Sequence, residues 1–228
     1  MSNELSTCVG LNTDYIGDHM YALLGHITRE HGLAQEPTII PCFGIDDRHR
    51  TDGLVTQFAD DTQDIDKGAA YLLIPSPTGR VTESGDRVFH SVMLGIDKKT
   101  KTITYQDPYG TAISDSLRAS LDAEFSGFTI TDCQKKQEHI SRPIDCAPLT
   151  IHNIESFLIG REITELDLDD ILELRRAQLD ILKDSGFEIL PDTHQTKVIF
   201  KPAPASHSTA SPGSAQDGAE SHQAAPEI

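Results

Sequence analysis

Cys146 stands in the stretch "RPIDCAPLTIHNI" (142–154), between an acid and an Ala-Pro step, where a helical pattern begins. A structural cysteine belongs deeper on an apolar stripe. A thiol at a helix start meets free backbone N–H groups and the positive end of the helix dipole, which favour the thiolate. Such a nucleophile needs a base, and the base needs a group to orient it. Both are offered by "VFHSVMLGIDKKTKTITYQDPYG", in which two alternating strands, 88–96 and 101–107, flank the charged turn "DKKT". Period-two alternation puts Val88, His90, Val92, Leu94 and Ile96 on one face, and Lys101, Ile103, Tyr105 and Asp107 on one face of the second strand. With Ile96 opposite Lys101, Leu94 falls opposite Ile103, Val92 opposite Tyr105 and His90 opposite Asp107. Cβ atoms so opposed lie about 4.5–5.5 Å apart. The expectation is an imidazole beside a carboxylate at the open end of a hairpin. With Cys146 they make a nucleophile, a base and an orienting acid.

The elements that must position these residues are partly legible. Ile16, Met20, Leu23, Leu24 and Ile27 follow the spacing of a helix stripe, with Thr13 or Asn12 as cap and Gly32 as stop. The Asp-rich stretch 45–68 has little pattern and reads as a surface excursion. "AYLLIP" (70–75) is a short apolar strand ended by proline, and "FTIT" (128–131) is a strand followed by a loop. Helices are expected at about 146–159 and about 167–184, the latter carrying Leu168, Ile171, Leu172, Leu179 and Leu182. Asp145 reads as the N-cap of the first of these, while His152 and Asn153 read as exposed or packing residues. Strands between helices with a hairpin in the middle indicate an α+β class.

Composition sets outer limits. The chain has 228 residues, enough for one domain with a sizeable core, and 37% of them are hydrophobic. Its formal net charge of −17, from 36 acids against 19 Lys plus Arg, excludes nucleic acid and anionic membrane surfaces as expected partners. No run approaches the roughly 18 apolar residues of a membrane span. The four cysteines, Cys8, Cys42, Cys133 and Cys146, are widely spread and form no zinc-type cluster. With no secretion signal in "MSNELSTCVG", free thiols in a cytoplasmic setting are expected. Residues 201–228, rich in Ala, Pro, Ser, Gly and His, read as a disordered tail or linker after a folded unit spanning 1–200.

Taken in order, "YLLIP", "HSVMLGID", "KTITYQDPYG", a Gln-containing strand and "DCAPLTIHNI" resemble the clan CE cysteine proteases. That family includes adenovirus protease, the SUMO and NEDD8 proteases and deubiquitinases of intracellular bacteria. Its order is His, Asp, Gln, Cys, and here 17 residues separate His90 from Asp107 and 39 separate Asp107 from Cys146. "LNTDYIGDHMYALLGHI" is similar to the family's opening helix, so the resemblance spans residues 11–160. It implies an α+β, papain-like fold with a central, mainly antiparallel sheet flanked by helices, and no cofactor. It also implies His90, Asp107 and Cys146 as catalytic residues, with a glutamine completing the oxyanion hole. Gln137, nine residues before the cysteine, stands ahead of Gln134, twelve before, although the family's own spacing is shorter. The family's Trp after the histidine is Ser91 here, and its Cys-Gly is Cys146-Ala147; with Tyr109 these positions would line the substrate channel. The implied activity is an isopeptidase acting after the C-terminal glycine of ubiquitin or a ubiquitin-like modifier, in the host cytosol if the chain is a bacterial effector. Two alternatives use the same fold: a YopJ-type acyltransferase and a catalytically weak modifier-binding module. The acyltransferases usually carry Glu as the middle residue and a basic pocket, against Asp107 and the acidic balance here.

Overall fold

The computed structural model describes residues 8–11, 15, 17–41, 47–75, 80–81, 89–137, 144–192 and 201–202. The first half runs β1 (Cys8–Val9), α1 (Gly17–Glu30), β2 (Thr38–Pro41), α2 (Asp47–Asp61), β3 (Lys67–Pro75), β4 (Arg80–Val81) and β5 (Phe89–Asp97). The second half runs β6 (Thr102–Gln106), α3 (Asp115–Glu124), β7 (Thr129–Asp132), α4 (Cys146–Ile159), α5 (Leu168–Asp184), β8 (Glu188–Ile189) and β9 (Lys201–Pro202). Five strands form the central sheet in the order β2-β3-β5-β6-β7. Its middle ladders, β3–β5 and β5–β6, are antiparallel, and both edge ladders are parallel. The expected α+β architecture is present, with the antiparallel character confined to the centre.

Each face of the sheet carries its own core, because neighbouring strand residues point opposite ways. Leu72, Val92, Leu94, Ile103 and Tyr105 pack with Leu54, Val55 and Phe58 of α2 and Leu117 and Leu121 of α3. Tyr71 and Met93 pack on the other side with Leu23 and Leu24 of α1, Ile151 and Ile154 of α4, and Leu179 and Leu182 of α5. The stretch 45–68 is therefore no simple surface excursion. Leu54, Val55 and Phe58 are spaced to share one helix face, and those three side chains seat an otherwise acidic helix. Helix α3 was likewise not apparent from periodicity. The Ser114 hydroxyl accepts from Leu117 N at 3.3 Å as its cap, and only Leu117 and Leu121 hold it to the core.

The hairpin register differs from expectation by two residues. Ile96 pairs with Ile103 and Leu94 with Tyr105, and the last pair is Asp97 with Thr102. Asp97 Oδ1 accepts from Lys99 N and Thr100 N at 3.0 and 3.1 Å, and Lys101 takes the left-handed conformation at φ 53°. That turn absorbs Lys101 and starts the second strand one residue later. An even slip leaves every side chain on its expected face.

The helices at α4 and α5 stand where periodicity placed them, and Asp167 and Asp170 form a capping box at the start of α5. Leu168 departs from its stripe, being 43% exposed. Lys201 and Pro202, assigned to the tail by composition, pair with Val81 and Arg80 in a short antiparallel ladder. Asn12, Thr13, Ile16, Cys42, Val88, the rest of the tail and residues 138–143 ahead of Cys146 lie outside the described residues.

Candidate active site

The turn after β6 builds the acid's position. Asp107-Pro108-Tyr109-Gly110 closes with Gly110 N donating to Asp107 O at 2.8 Å, and Tyr109 N donating to Asp107 Oδ1 at 2.8 Å. Proline presets φ at the second position of such a turn. Gly110 sits at φ +72°, and a Cβ there would lie 3.2 Å from Gln134 O and 3.3 Å from Lys136 N. A larger residue would be strained on both counts. Gln106 ties the turn from behind, donating through Nε2 to Asp107 O and Lys135 O, both at 2.7 Å.

Against this turn lies His90, the second residue of β5. It is buried, and its Nε2–H donates to Asp107 Oδ1 at 2.6 Å, with both side chains 3% exposed or less. Asp107 is the diagonal, not the direct, cross-strand neighbour. Continuing the observed register, the position opposite His90 is 109, and the Tyr109 ring stacks on the imidazole with centroids 4.6 Å apart and planes at 22°. The bond at Nε2 fixes the tautomer and leaves Nδ1 as the ring's basic nitrogen.

Cys146 is the first residue of α4 and is buried. The first amides of a helix have no intrahelical acceptor, and Pro148 is tolerated in the first turn because its missing N–H would have none there. The expected cap is corrected. Asp145 occupies the N-cap position at φ −93°, ψ −6° and makes no capping bond. Its carboxylate instead accepts from Arg175 Nη1 at 2.9 Å, both side chains being fully buried.

The remaining residues divide. Ser91 lies on the opposite face from His90, buried, its hydroxyl 2.5 Å from Tyr71 Oη. The Ala147 methyl belongs to the core beside Ile151. Tyr109 is half-buried over the His90 ring. Gln137 is also buried, with Nε2 donating to Asn153 Oδ1 and Thr164 O at 2.9 Å each and Oε1 accepting from Asn153 Nδ2 at 2.7 Å. Gln134 is exposed at φ 48°, donating to Asp132 Oδ2 at 3.1 Å. The other described cysteines have different surroundings. Burial, and then the Asp132 carboxylate, push the Cys133 thiol up, with Lys135 opposing. The Cys8 thiol donates to Glu188 Oε2 at 3.4 Å. Among the described residues no group of three or more His, Cys, Asp or Glu is arranged to hold a metal, and no helix is long and apolar enough to cross a membrane.

Sequence reasoning did not single out Gln106 or Arg175, while Asn153, read as an exposed or packing residue, is buried and pairs with Gln137. The signal for Arg175 was available as a charged residue at the core position of the stripe Ile171, Arg175, Leu179, Leu182.

No family model matches the chain, and no curated protein matches it by sequence. Solved structures do match. The Chlamydia trachomatis effector protein ChlaDUB1 is similar with a TM-score of 0.50 at 13% identity, over 80% of this chain and 90% of that one. The Rickettsia bellii effector protein RickCE gives 0.43 at 13% identity, over 81% and 90%. The C-terminal Ulp1 protease domain, solved in complex with Smt3, the yeast orthologue of SUMO, gives 0.45 at 16% identity, over 75% and 78%. Identities this low speak to the fold alone, and the likeness to ChlaDUB1 carries it: the chain has the α+β fold of the clan CE proteases.

Proposed function

We propose that the chain is a cysteine isopeptidase that cleaves after the C-terminal glycine of ubiquitin or a ubiquitin-like modifier, with Cys146 as nucleophile, His90 as base and Asp107 as its orienter. The observation that carries this reading is the buried Nε2–Asp107 bond, which aims Nδ1 away from the acid. Helix length then supports the thiol's place. A Cβ on Gly95 would meet the Phe157 ring at 2.6 Å, so α4 crosses β5 in close contact there. From Phe157 back to Cys146 is about 16 Å at 1.5 Å per helical residue. From Gly95 back to His90 is about 16 Å at 3.3 Å per strand residue. Helix and strand thus reach the same end of the sheet, where β3 stops at Pro75 opposite Phe89. On this reading the helix start would bring Cys146 to the end of β5 that carries His90.

In the proposed reaction Nδ1 of His90 takes the Cys146 proton, and the thiolate attacks the isopeptide carbonyl carbon. The C–S bond forms as the carbonyl becomes an oxyanion held by the Cys146 amide at the helix start. The imidazolium returns its proton to the departing lysine amine as the C–N bond breaks. Water, deprotonated by the same nitrogen, then attacks the thioester, freeing the modifier's carboxylate and the thiol. On this reading the catalytic unit is residues 1–200 with the short β9 ladder, the tail beyond Pro202 is dispensable, and the site of action is the host cytosol if the chain is delivered as an effector.

Ubiquitin, SUMO and NEDD8 probes carrying a C-terminal electrophile test the reading. At least one should form an adduct that peptide mass spectrometry places on Cys146. Adduct on Cys8, Cys42 or Cys133 instead overturns the assignment. The occupied hydrogens of Gln137 favour one second reading, a modifier-binding module; adduct formation without turnover of a modifier fusion would select it.

A further inference from the structure

Helix α5 turns an apolar stripe to the core, and two polar residues one turn apart, Arg175 and Gln178, are buried within it. Both grip the start of α4. Arg175 Nη1 donates to Ile144 O at 3.0 Å and to Asp145 Oδ1 at 2.9 Å, and Nη2 donates to Gly10 O at 3.1 Å. The guanidinium lies over the Tyr15 ring, 4.9 Å from its centroid. Gln178 Nε2 donates to Pro148 O at 3.0 Å. The residues so held, Ile144, Asp145 and Pro148, bracket Cys146.

Stability alone is a poor reason for this arrangement, because an ion pair fully removed from water is often no better than an apolar pair of the same volume. Its place beside the thiol gives a better one. A bare carboxylate one residue before Cys146 would oppose the thiolate that a helix start favours. Arg175 cancels that charge while its planar fork reaches acceptors on separate chain segments, which a lysine's point charge does not. Among the described residues, the Tyr15 phenol, which burial pushes up to about 12, packs against Arg175, and His19 is in edge-to-face contact with it; on the proposed reading His90 is the further titratable group that faces the thiol.

We propose that Arg175 is a positioning residue for Cys146, fixing the backbone that precedes the thiol and neutralising Asp145 so that the thiolate forms at the helix start. The inference rests on the reading of Cys146 as nucleophile. Its test is made on the thiol itself.

In the full chain, the rate of Cys146 alkylation by iodoacetamide is followed against pH by peptide mass spectrometry, with no modifier present. Arg175→Gln should move the midpoint to higher pH and slow alkylation near neutrality by about tenfold for each unit moved. Adding Asp145→Asn to Arg175→Gln should return the midpoint toward that of the wild type. Arg175→Lys should keep the midpoint but lower kcat by up to about 10²-fold, with KM within about twofold, because the charge remains and the fork is lost. A merely structural role lowers the melting temperature of all three and leaves the midpoint unmoved in each, and that result overturns the proposal. If Arg175→Gln does not fold, a raised midpoint in the double variant, or wild-type kcat in Arg175→Lys, overturns it equally. If the wild type hydrolyses no modifier while the midpoints move as stated, the functional reading fails and this inference stands.

Discussion

At the hairpin end, His90 and Asp107 are 17 residues apart in the chain and are brought together by one four-residue turn and one tight loop after β6. At the start of α4 the corresponding work is done over long distances. Arg175 joins Asp145, 30 residues away, to Gly10, 165 residues away. Hairpin contacts cost little loop-closure entropy and are set by local alternation and turn chemistry. The thiol's surroundings exist only once both ends of the chain have docked. One half of the candidate site is local, and the other is a product of the whole fold.

The sharpest break of that comparison comes from the local half. His90→Ala and Asp107→Ala should each lower turnover by about 10³–10⁴-fold, since members of such a unit are non-additive. Both variants should keep the wild-type circular dichroism spectrum and elution volume, because the hairpin is held by Ile96–Ile103 and Leu94–Tyr105 and not by the pair at its open end. Near-normal turnover in either removes the pair from the chemistry. Unfolding of both would show that the hairpin end is not local after all.

This contrast also sorts what could be read from the chain. The His90–Asp107 bond was legible despite a register off by two, because an even slip preserves faces and diagonal neighbours remain within reach. The same slip hid the Tyr109 stack, which follows only from the true register. Helix α4 was legible from its apolar content and from Asp145-Cys146-Ala147-Pro148 as a start. The use of Asp145 was not. An acid at an N-cap position satisfies the local rule whether or not it caps, and only Arg175 shows which role it has. Helices α2 and α3 escaped because each is held by two or three apolar residues among acids, too few to set a period.

A smaller effect is expected from Gln137, which joins the two halves through Asn153 of α4. Its amide hydrogens are engaged by Asn153 and Thr164, so Gln137→Ala should lower the melting temperature with turnover within about tenfold of wild type. A lost oxyanion donor typically costs about 10²–10³ instead. A fall of that size at constant KM and constant melting temperature would make Gln137 the oxyanion donor and give the site a donor from outside the helix start.

The smallest effect separates the halves by acid. His19 is buried between Tyr15 and Phe187, with ring centroids 6.1 and 4.8 Å away, on the side of the fold that seats the thiol. Burial lowers its pKa, with Asp18 opposing, and burial likewise lowers that of His152 on α4, with Glu155 opposing and Arg161 adding. Well above the ordinary histidine value of about 6.5 both rings are neutral in the folded and unfolded chain and contribute no slope. As pH falls below it, the unfolded chain takes up protons that the folded chain still refuses, so stability declines toward the lowered native values. The melting temperature should therefore fall between pH 7.5 and 5.5, and His19→Gln with His152→Gln should flatten the fall. Hydrogen exchange gives the location: amides of α1 and α4 should lose protection on acidification before those of β5 and β6. Equal loss in all four elements would mean that acid loosens the molecule as one body, and that the thiol's seat is no more dependent on distant packing than the hairpin is.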